Sequence, residues 1–251
     1  MKMKDVRLYY NESVKRLLLN GYFRKLLSPT LHDLSELNIL SDPEKAIIDI
    51  LGDSIPEIVK NEYVLLKSYL QSNYNNIDLK YPLNFKIDDT TSFFIYSFMR
   101  LYQPLRIVET GVANGHSSFL ILSALIRNGK GKLYSIDVSS DVGQLVTEEL
   151  KKNWELIILS KAKEKKLEEI FKKIYPIDVF IHDSNHSYYW QELEYRLSFK
   201  YVKSNGFIMS DDVDSSYAFV DFLNLNKLSS LFLYDTRKVF GISQKDNQIR
   251  S

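Results

Sequence analysis

The sequence has no cysteine, which removes disulfides, thiolate metal ligands and cysteine nucleophiles together. It also lacks an excess of charge of one sign, because 33 Lys and Arg stand against 32 Asp and Glu, for a formal net charge of +1. Such a balance offers no general attraction for nucleic acid or for acidic membrane surfaces. We therefore expect neither as a partner, and any metal must be held by oxygen or imidazole ligands.

Long apolar runs are missing as well. The longest, residues 93–99 and 119–126, fall well short of the ~18 residues that read as a membrane-spanning helix. The first ten residues are charged and lack the apolar stretch of a secretory signal. The sequence therefore predicts a cytoplasmic protein without a membrane span.

The amino-terminal part of the chain has helical patterning. Two capping boxes, Ser41 with Glu44 and Ser54 with Glu57, would satisfy free amides in a first helical turn. Apolar residues at helical spacing, or a start after a turn, predict helices at residues 14–23, 55–70 and 90–101. We assign residues 1–103 to a helical extension that covers an acceptor pocket or forms a subunit interface, and we expect a homo-oligomer.

After Pro104, short apolar runs alternate with amphipathic helical segments, a pattern typical of a parallel sheet. The predicted strands are residues 106–109, 132–136, 156–159, 178–181, 206–210, 231–234 and 239–243. The predicted helices between them are residues 118–127, 163–174, 188–202 and 216–224. The pattern predicts an α/β fold for residues 104–251. The expected sheet is Rossmann-like, doubly wound and seven-stranded, mostly parallel with an antiparallel last strand.

The first of these strands leads into a turn of small residues and then into a helix start. Small residues let a backbone approach a ligand, and a helix amino terminus offers free amides to a carboxylate or phosphate. A dinucleotide fingerprint that begins at Gly111 would need glycine at positions 113 and 116, which are Ala113 and His116. A pyrophosphate-binding loop is therefore disfavoured.

Acidic residues follow three later strands. Asp137 is placed to accept hydrogen bonds from ribose hydroxyls, although a turn-forming Asp is the alternative. Asp183, Asp211 and Asp212 would meet at one edge of the sheet if their strands are neighbours. Three crowded carboxylates need a cation or protons, and oxygen ligands suit Mg²⁺ or Mn²⁺. The bland alternative for Asp211 and Asp212 is a helix cap.

Two of the four histidines lie within five positions. His186 comes three residues after Asp183, and an ordinary histidine pKa near ~6.5 suits a proton acceptor at neutral pH. His182 precedes the candidate ligand, and we interpret it as a packing or locally hydrogen-bonded residue.

These motifs resemble the class I S-adenosylmethionine methyltransferases. They resemble in particular the metal-dependent O-methyltransferases that act on sugars of macrolides, together with cephalosporin hydroxylase-like and rhamnosyl O-methyltransferase proteins. The similarity covers about residues 81–244 and is most specific at 108–118, 181–188 and 206–213.

The resemblance implies a role for each matching position. It implies Asp183, Asp211 and Asp212 as Mg²⁺ (or Mn²⁺) ligands and His186 as general base. The positions it implies as S-adenosylmethionine contacts are Glu109, Gly111, Ala113, Gly115, Ser117, Asp137 and Ser160. Two of these depart from the family pattern, since Ala113 replaces a glycine and Ser160 stands where an acid near adenine is usual.

The resulting hypothesis is methyl transfer to a hydroxyl of a small molecule, a sugar or glycoside by resemblance. His186 would remove the hydroxyl proton as the oxygen attacks the sulfonium methyl group, while the metal lowers the hydroxyl pKa. One alternative is a non-catalytic module that keeps the cofactor fold and binds a partner. Another is an NAD-dependent oxidoreductase, which Ala113 and His116 already weaken.

Overall fold

The computed structural model describes residue 37, residues 39–159 and residues 164–246. The predicted helix at 14–23 and the candidate contact Ser160 lie outside these residues. Within the described part, no helix has both the length and the apolar character to cross a membrane.

Eight strands form one sheet, in the order β1-β7-β8-β6-β5-β2-β3-β4. The strands are β1 (Ile39–Leu40), β2 (Arg106–Thr110), β3 (Lys132–Asp137), β4 (Trp154–Ile158), β5 (Ile177–His182), β6 (Val202–Ser210), β7 (Ser230–Asp235) and β8 (Lys238–Gln244). Among the described strands, β8 alone runs antiparallel to its neighbours, β6 and β7. The predicted α/β sheet with an antiparallel last strand is confirmed.

The sheet has one strand more than the predicted seven. β1 pairs parallel with β7 through Ile39 with Phe232 and Leu40 with Leu233. A strand of two residues has no alternation that a sequence pattern can reveal, and this part of the chain was assigned to the helical extension.

In the described part of the chain, eight α-helices surround the sheet. They are α1 (Pro43–Leu51), α2 (Glu57–Asn76), α3 (Asp89–Tyr102), α4 (His116–Asn128), α5 (Glu148–Lys151), α6 (Glu164–Ile174), α7 (Tyr188–Tyr201) and α8 (Ala218–Asn226). Short 3-10 helices occupy Leu83–Phe85 and Val213–Ser215.

Neither predicted capping box forms. Asp42 caps α1, because its carboxylate accepts from the amides of Glu44 and Lys45, and Pro43 takes the first helical position. At α2 the cap position is Pro56, which offers no side-chain hydrogen bond. An Asp directly before a proline was the stronger start signal, and the serine motif was misread.

Helices cover both faces of the sheet, as alternate strand residues show. Ile107 and Phe207 belong to a core that they share with α1 to α4, whereas Val108 and Ile208 belong to a core shared with α6 to α8. The described part of the helical extension therefore packs on the sheet. Phe98 of α3, for example, meets Phe207 edge to face at 4.9 Å between ring centroids.

The chain crosses from one half of the sheet to the other between β4 and β5, which places β5 directly beside β2. In open α/β sheets, ligands bind at such a crossover, beyond the carboxyl ends of the strands. The segments that follow β2, β5 and β6 therefore form the expected ligand-binding site.

Candidate functional site at the carboxyl ends of the central strands

Register places three candidate segments side by side. Thr110 is paired with His182 across β2 and β5, and the ladder continues past the strand ends. The amide of Asp183 donates to the carbonyl of Thr110 at 2.9 Å, and the amide of Asp211 donates to the carbonyl of His182 at 2.9 Å. Asp183 and Asp211 thus leave the sheet at the same edge, next to the turn that begins at Gly111.

That turn, residues 111–115 between β2 and α4 and hereafter the cofactor turn, requires left-handed backbone. Gly111 and Gly115 both have φ of +83°, and Ala113 between them has φ of +47°. A side chain at Gly111 would overlap the backbone carbonyl of Asp183, so glycine there allows β2 and β5 to end in contact. Ala113 keeps the left-handed conformation although it replaces the usual glycine.

Glu109 lies under the turn and is 1% exposed. Its carboxylate accepts hydrogen bonds from the hydroxyls of Ser117 at 3.1 Å, Ser135 at 2.7 Å and Ser118. Burial raises the pKa of Glu109 to about 7, although the three hydroxyls oppose the shift. Glu109 and Ser117 therefore fasten the turn to the start of α4 and to β3.

Asp137 ends β3 on the other side of β2. Its carboxylate accepts from the amide of Val112 at 2.9 Å and from the amide of Ser139 at 3.0 Å. The side chain remains partly exposed at the carboxyl end of the sheet. It bonds the cofactor turn and keeps acceptor capacity for a ligand.

Asn114, which the sequence interpretation missed, ties the turn to the helical extension. Its side-chain oxygen accepts from the amides of Lys80 and Tyr81, both at 3.1 Å, and its nitrogen donates to the carbonyl of Tyr81 at 2.8 Å. A single asparagine thus fixes the segment that follows α2 against the turn.

His116 was used only to reject a dinucleotide loop, yet it anchors the start of α4. Its Nδ1 lies 2.5 Å from the hydroxyl of Tyr74, and its Nε2 lies 3.0 Å from the hydroxyl of Ser92. Burial lowers the pKa of His116 to about 3, so the ring is neutral. Together with Asn114, it joins α2 and α3 to the turn.

The four residues of the predicted catalytic set come together, and we call them the carboxylate centre: Asp183, Asp211, Asp212 and His186. Nε2 of His186 lies 3.2 Å from Oδ2 of Asp212 and 3.9 Å from Oδ1 of Asp183. Burial and the neighbouring Asp211 raise the pKa of Asp183 well above its usual value. Burial likewise raises the pKa of Asp211 to about 6.

The expectation of an ordinary histidine pKa for His186 is wrong. Burial, and then the nearby His182, lower it to about 4, although Asp212 favours the charged ring. The imidazole is therefore neutral at pH 7 and free to accept a proton, but it is a weaker base than an exposed histidine.

Glu194 of α7 is the hydrogen-bonding partner of the buried His182. Its carboxylate lies 2.6 Å from Nδ1 of His182 and accepts from the hydroxyls of Thr110 at 2.5 Å and Ser184 at 3.0 Å. His182 is fully buried and meets His186 edge to face, with ring centroids 5.4 Å apart. This buried network fixes the ends of β2 and β5 beneath His186.

Lys238, at the start of β8, is a further residue that the sequence interpretation missed. Its Nζ lies 2.5 Å from Oδ2 of Asp211 and 3.3 Å from Oδ2 of Asp212. Burial opposes the charge of Lys238, but the combined attraction of Asp211, Asp183 and Asp212 outweighs burial and raises the pKa of the lysine. A lysine at the start of a strand has no sequence signal that distinguishes it from an ordinary surface residue.

The described residues contain no group of three or more acidic or histidine side chains arranged to hold a metal ion. Two of the three expected ligands, Asp211 and Asp212, are paired with the ammonium instead. The carboxylates are gathered as predicted, and the cation among them comes from the chain itself.

A shallow, open cleft lies between the cofactor turn and the helical extension. Its walls come from the turn, from Asp183 and from the segments before α3, and the lining residues are Tyr74, Phe85, Lys86, Ile87, Val112, Ala113, Asn114, His116, Ser117 and Asp183. The cleft therefore extends from the turn to Asp183, one residue of the carboxylate centre.

Residues 108–213 match the family model of a methyltransferase domain. The O-methyltransferase from Bacillus cereus, solved in complex with SAH, superposes with a TM-score of 0.56 at 16% identity over 81% of this chain and 96% of its own. The O-methyltransferase TomG from Streptomyces achromogenes, which acts in tomaymycin synthesis and was solved with SAM, gives 0.54 at 13% identity over 71% and 96%.

A putative caffeoyl-CoA O-methyltransferase from Staphylococcus aureus gives a TM-score of 0.54 at 15% identity over 80% of this chain and 98% of its own. No curated protein matches the sequence. The chain therefore has the fold of the class I methyltransferases, and its residues 108–213 match the methyltransferase domain family.

Proposed function

We propose that this protein is an S-adenosylmethionine-dependent O-methyltransferase that methylates a hydroxyl group of a small molecule. The observation that carries the proposal is the position of His186, whose Nε2 lies 3.2 Å from Asp212 in the same edge of the sheet as the cofactor turn. A neutral imidazole beside clustered carboxylates suits proton removal from a weakly acidic hydroxyl.

The residues present fit the methyl donor. The cofactor turn faces an open cleft, and Asp137 presents a partly exposed carboxylate at the end of the next strand. Gly111, Gly115 and Asp137 would hold the donor, with Glu109 and Ser117 supporting the turn from below. When bound, S-adenosylmethionine supplies the electrophilic methyl group.

The oxygen atoms of the carboxylate centre are also of the kind that binds a divalent cation. Three carboxylates meet one ammonium, Lys238, so ionised Asp183, Asp211 and Asp212 would leave negative charge uncompensated. Oxygen ligands of this kind suit Mg²⁺ or Mn²⁺. We propose these three residues as its ligands, and the ion would supply Lewis-acid polarisation of an acceptor oxygen.

The chain's own part in the reaction is to position the acceptor and to take its proton. His186 accepts the hydroxyl proton at Nε2, and Asp212 stabilises the imidazolium that forms. Glu194 and His182 hold the strand ends beneath it and fill the space that water would otherwise enter.

We further propose a sugar or glycoside as the acceptor. Tyr74 and Phe85 place aromatic rings in the wall of the cleft, and aromatic faces suit the apolar faces of sugar rings. In this proposal the helical extension covers the acceptor. The homo-oligomeric state and the cytoplasmic location stay predictions.

The test is transfer of a trideuterated methyl group from labelled S-adenosylmethionine to a panel of hydroxylated sugars and glycosides. Mass spectrometry of the products should place the label on oxygen. Transfer should fall after treatment with a chelator and return when Mg²⁺ is added. Binding of S-adenosylhomocysteine with no labelled product from any acceptor would favour a non-catalytic module, and unchanged transfer after chelation would remove the metal from the proposal.

A further inference from the structure

Lys238 lies in the carboxylate centre but belongs to neither the cofactor turn nor the predicted ligand set. Its side chain is 10% exposed, and its ammonium contacts Oδ2 of both Asp211 and Asp212. A lysine ammonium is expensive to bury unless carboxylates surround it. The position is therefore maintained by the same oxygens that a metal would need.

The backbone that carries Lys238 is fixed from two sides. Asp235, paired with Lys238 in the hairpin between β7 and β8, accepts from the amide of Thr91 at 2.8 Å. Arg237 in the hairpin turn binds Asp88, with Nη2 of the arginine 2.6 Å from Oδ1. The start of α3 therefore holds the hairpin, so rotation of the lysine side chain would move the ammonium without a shift of the backbone.

We infer that Lys238 is a tethered counter-ion that competes with a divalent cation for Asp211 and Asp212, so that entry of the metal requires departure of the ammonium. The inference rests on the proposed function because it takes those aspartates as metal ligands. An ammonium within 3.3 Å of both carboxylates repels a second cation at the same oxygens. Without a metal, it keeps the centre assembled.

The competition is tested by direct binding of Mn²⁺ to the purified full chain, with free Mn²⁺ followed by electron paramagnetic resonance. Lys238→Gln removes the competing charge and should tighten Mn²⁺ binding by at least about tenfold. Lys238→Arg keeps a positive charge and should bind Mn²⁺ as weakly as the original protein. Calorimetric binding of S-adenosylhomocysteine reports whether each variant is folded.

Lys245→Gln is the matched control. This lysine follows β8, and its ammonium binds the carbonyls of Phe199 and Val202 at 2.7 and 2.8 Å, away from the carboxylates. Loss of that charge should leave Mn²⁺ affinity unchanged. A gain equal to that of Lys238→Gln would mean a general charge effect and would overturn the inference.

A measurement on the original chain does not depend on how the variants fold. With ¹⁵N-labelled lysine, the side-chain resonance of Lys238 should shift as Mg²⁺ is titrated, while that of Lys245 stays in place. The inference is overturned if the Lys238 resonance is unchanged at saturating Mg²⁺, or if Lys238→Gln binds Mn²⁺ no more tightly than the original protein. Tighter Mn²⁺ binding by Lys238→Gln together with chelator-insensitive methyl transfer would uphold the competition and remove the metal from catalysis.

Discussion

The cofactor turn and the carboxylate centre lie at the same edge of one sheet, but they are held together in opposite ways. Beneath the turn, the buried carboxylate of Glu109 receives three hydroxyl hydrogen bonds, and in the turn Asn114 uses both ends of its amide. In the centre, burial and the neighbouring Asp211 raise the pKa of Asp183, and burial and the neighbouring Asp212 raise the pKa of Asp211. The turn is satisfied by neutral donors, whereas the centre is crowded with like charge.

This difference suits the cofactor turn to binding a ligand and the carboxylate centre to the chemical step. A satisfied network costs little to maintain and presents a fixed surface to a ligand, which suits a cofactor site. A centre of repelling carboxylates gains stability when a cation or a proton arrives, which suits a site where charge changes during a reaction. Substitutions in the cofactor turn should therefore affect cofactor affinity, whereas substitutions in the carboxylate centre should affect turnover.

The largest effect should come from a change that breaks only the carboxylate centre. His186→Ala removes the proton acceptor, and we expect turnover to fall by about 10²-fold or more while S-adenosylhomocysteine binding is unchanged. Steady-state methyl transfer and calorimetry measure the two quantities. Asn185→Ala, an exposed neighbour in the same loop, is the control and should retain most of the activity. Full turnover in the His186 variant would end its assigned role.

The next change breaks the turn where it touches the centre. Gly111→Ala adds a side chain at φ of +83° and drives it into the carbonyl of Asp183. The left-handed conformation alone costs about 1–2 kcal/mol, so cofactor affinity should drop by roughly tenfold or more. Gly129→Ala is matched, since its φ is +66° and nothing lies near its added methyl group. Equal loss of S-adenosylhomocysteine affinity in the two variants would contradict the close approach of the two regions.

The two regions also differ in how many of their site residues could be predicted from the sequence. Strand ends in a parallel sheet meet, so Gly111, Asp183 and Asp211 could be brought together from the pattern alone. Nothing local marked Lys238 or Glu194, because each reaches the site from a distant element. The lowered pKa of His186 could not be predicted for the same reason, since burial is a property of the assembled fold.

Helix starts and short strands show another limit. The spacing of the serine capping boxes was plausible. At α1, however, Asp42 is the N-cap, because a carboxylate and a following proline both favour a helix start. β1 is only two residues long and exists because β7 offers it an edge. Local signals therefore gave the type of element, and tertiary contacts decided where it began.

A third prediction concerns the attachment of the turn to the helical extension. The pKa of His116 is lowered to about 3, so its stabilisation is complete above the unfolded value of 6.5 and is lost as pH falls toward 3. Glu109 acts in the opposite sense, because its raised pKa gives stability that is lost as pH rises toward 7. The two slopes oppose each other in the original protein.

His116→Gln separates them, because Gln keeps hydrogen-bonding groups for Tyr74 and Ser92 but does not titrate. Urea unfolding should show that the stability of the original protein relative to the variant falls by up to ~1 kcal/mol for each pH unit below about 6. A difference independent of pH between 7 and 4 would mean that His116 is not held neutral.

The smallest effect sharpens the description of the turn itself. Ala113→Gly relieves a left-handed alanine at φ of +47°, and the free energy of unfolding should rise by up to about 1 kcal/mol, since the gain is partly offset by a more flexible unfolded chain. Ala124→Gly, in the middle of α4, is the control and should be destabilising. Destabilisation by both changes would show that Ala113 is not strained.

The most direct test is a crystal structure of the protein with S-adenosylhomocysteine and Mn²⁺, with the ion located by its anomalous scattering. We expect the cofactor to lie on the cofactor turn and the start of α4, with its ribose at Asp137. The anomalous peak should be in contact with Asp183, Asp211 and Asp212, beside Nε2 of His186. A cofactor bound elsewhere, or Asp211 and Asp212 still paired with Lys238 at saturating Mn²⁺, would contradict the account.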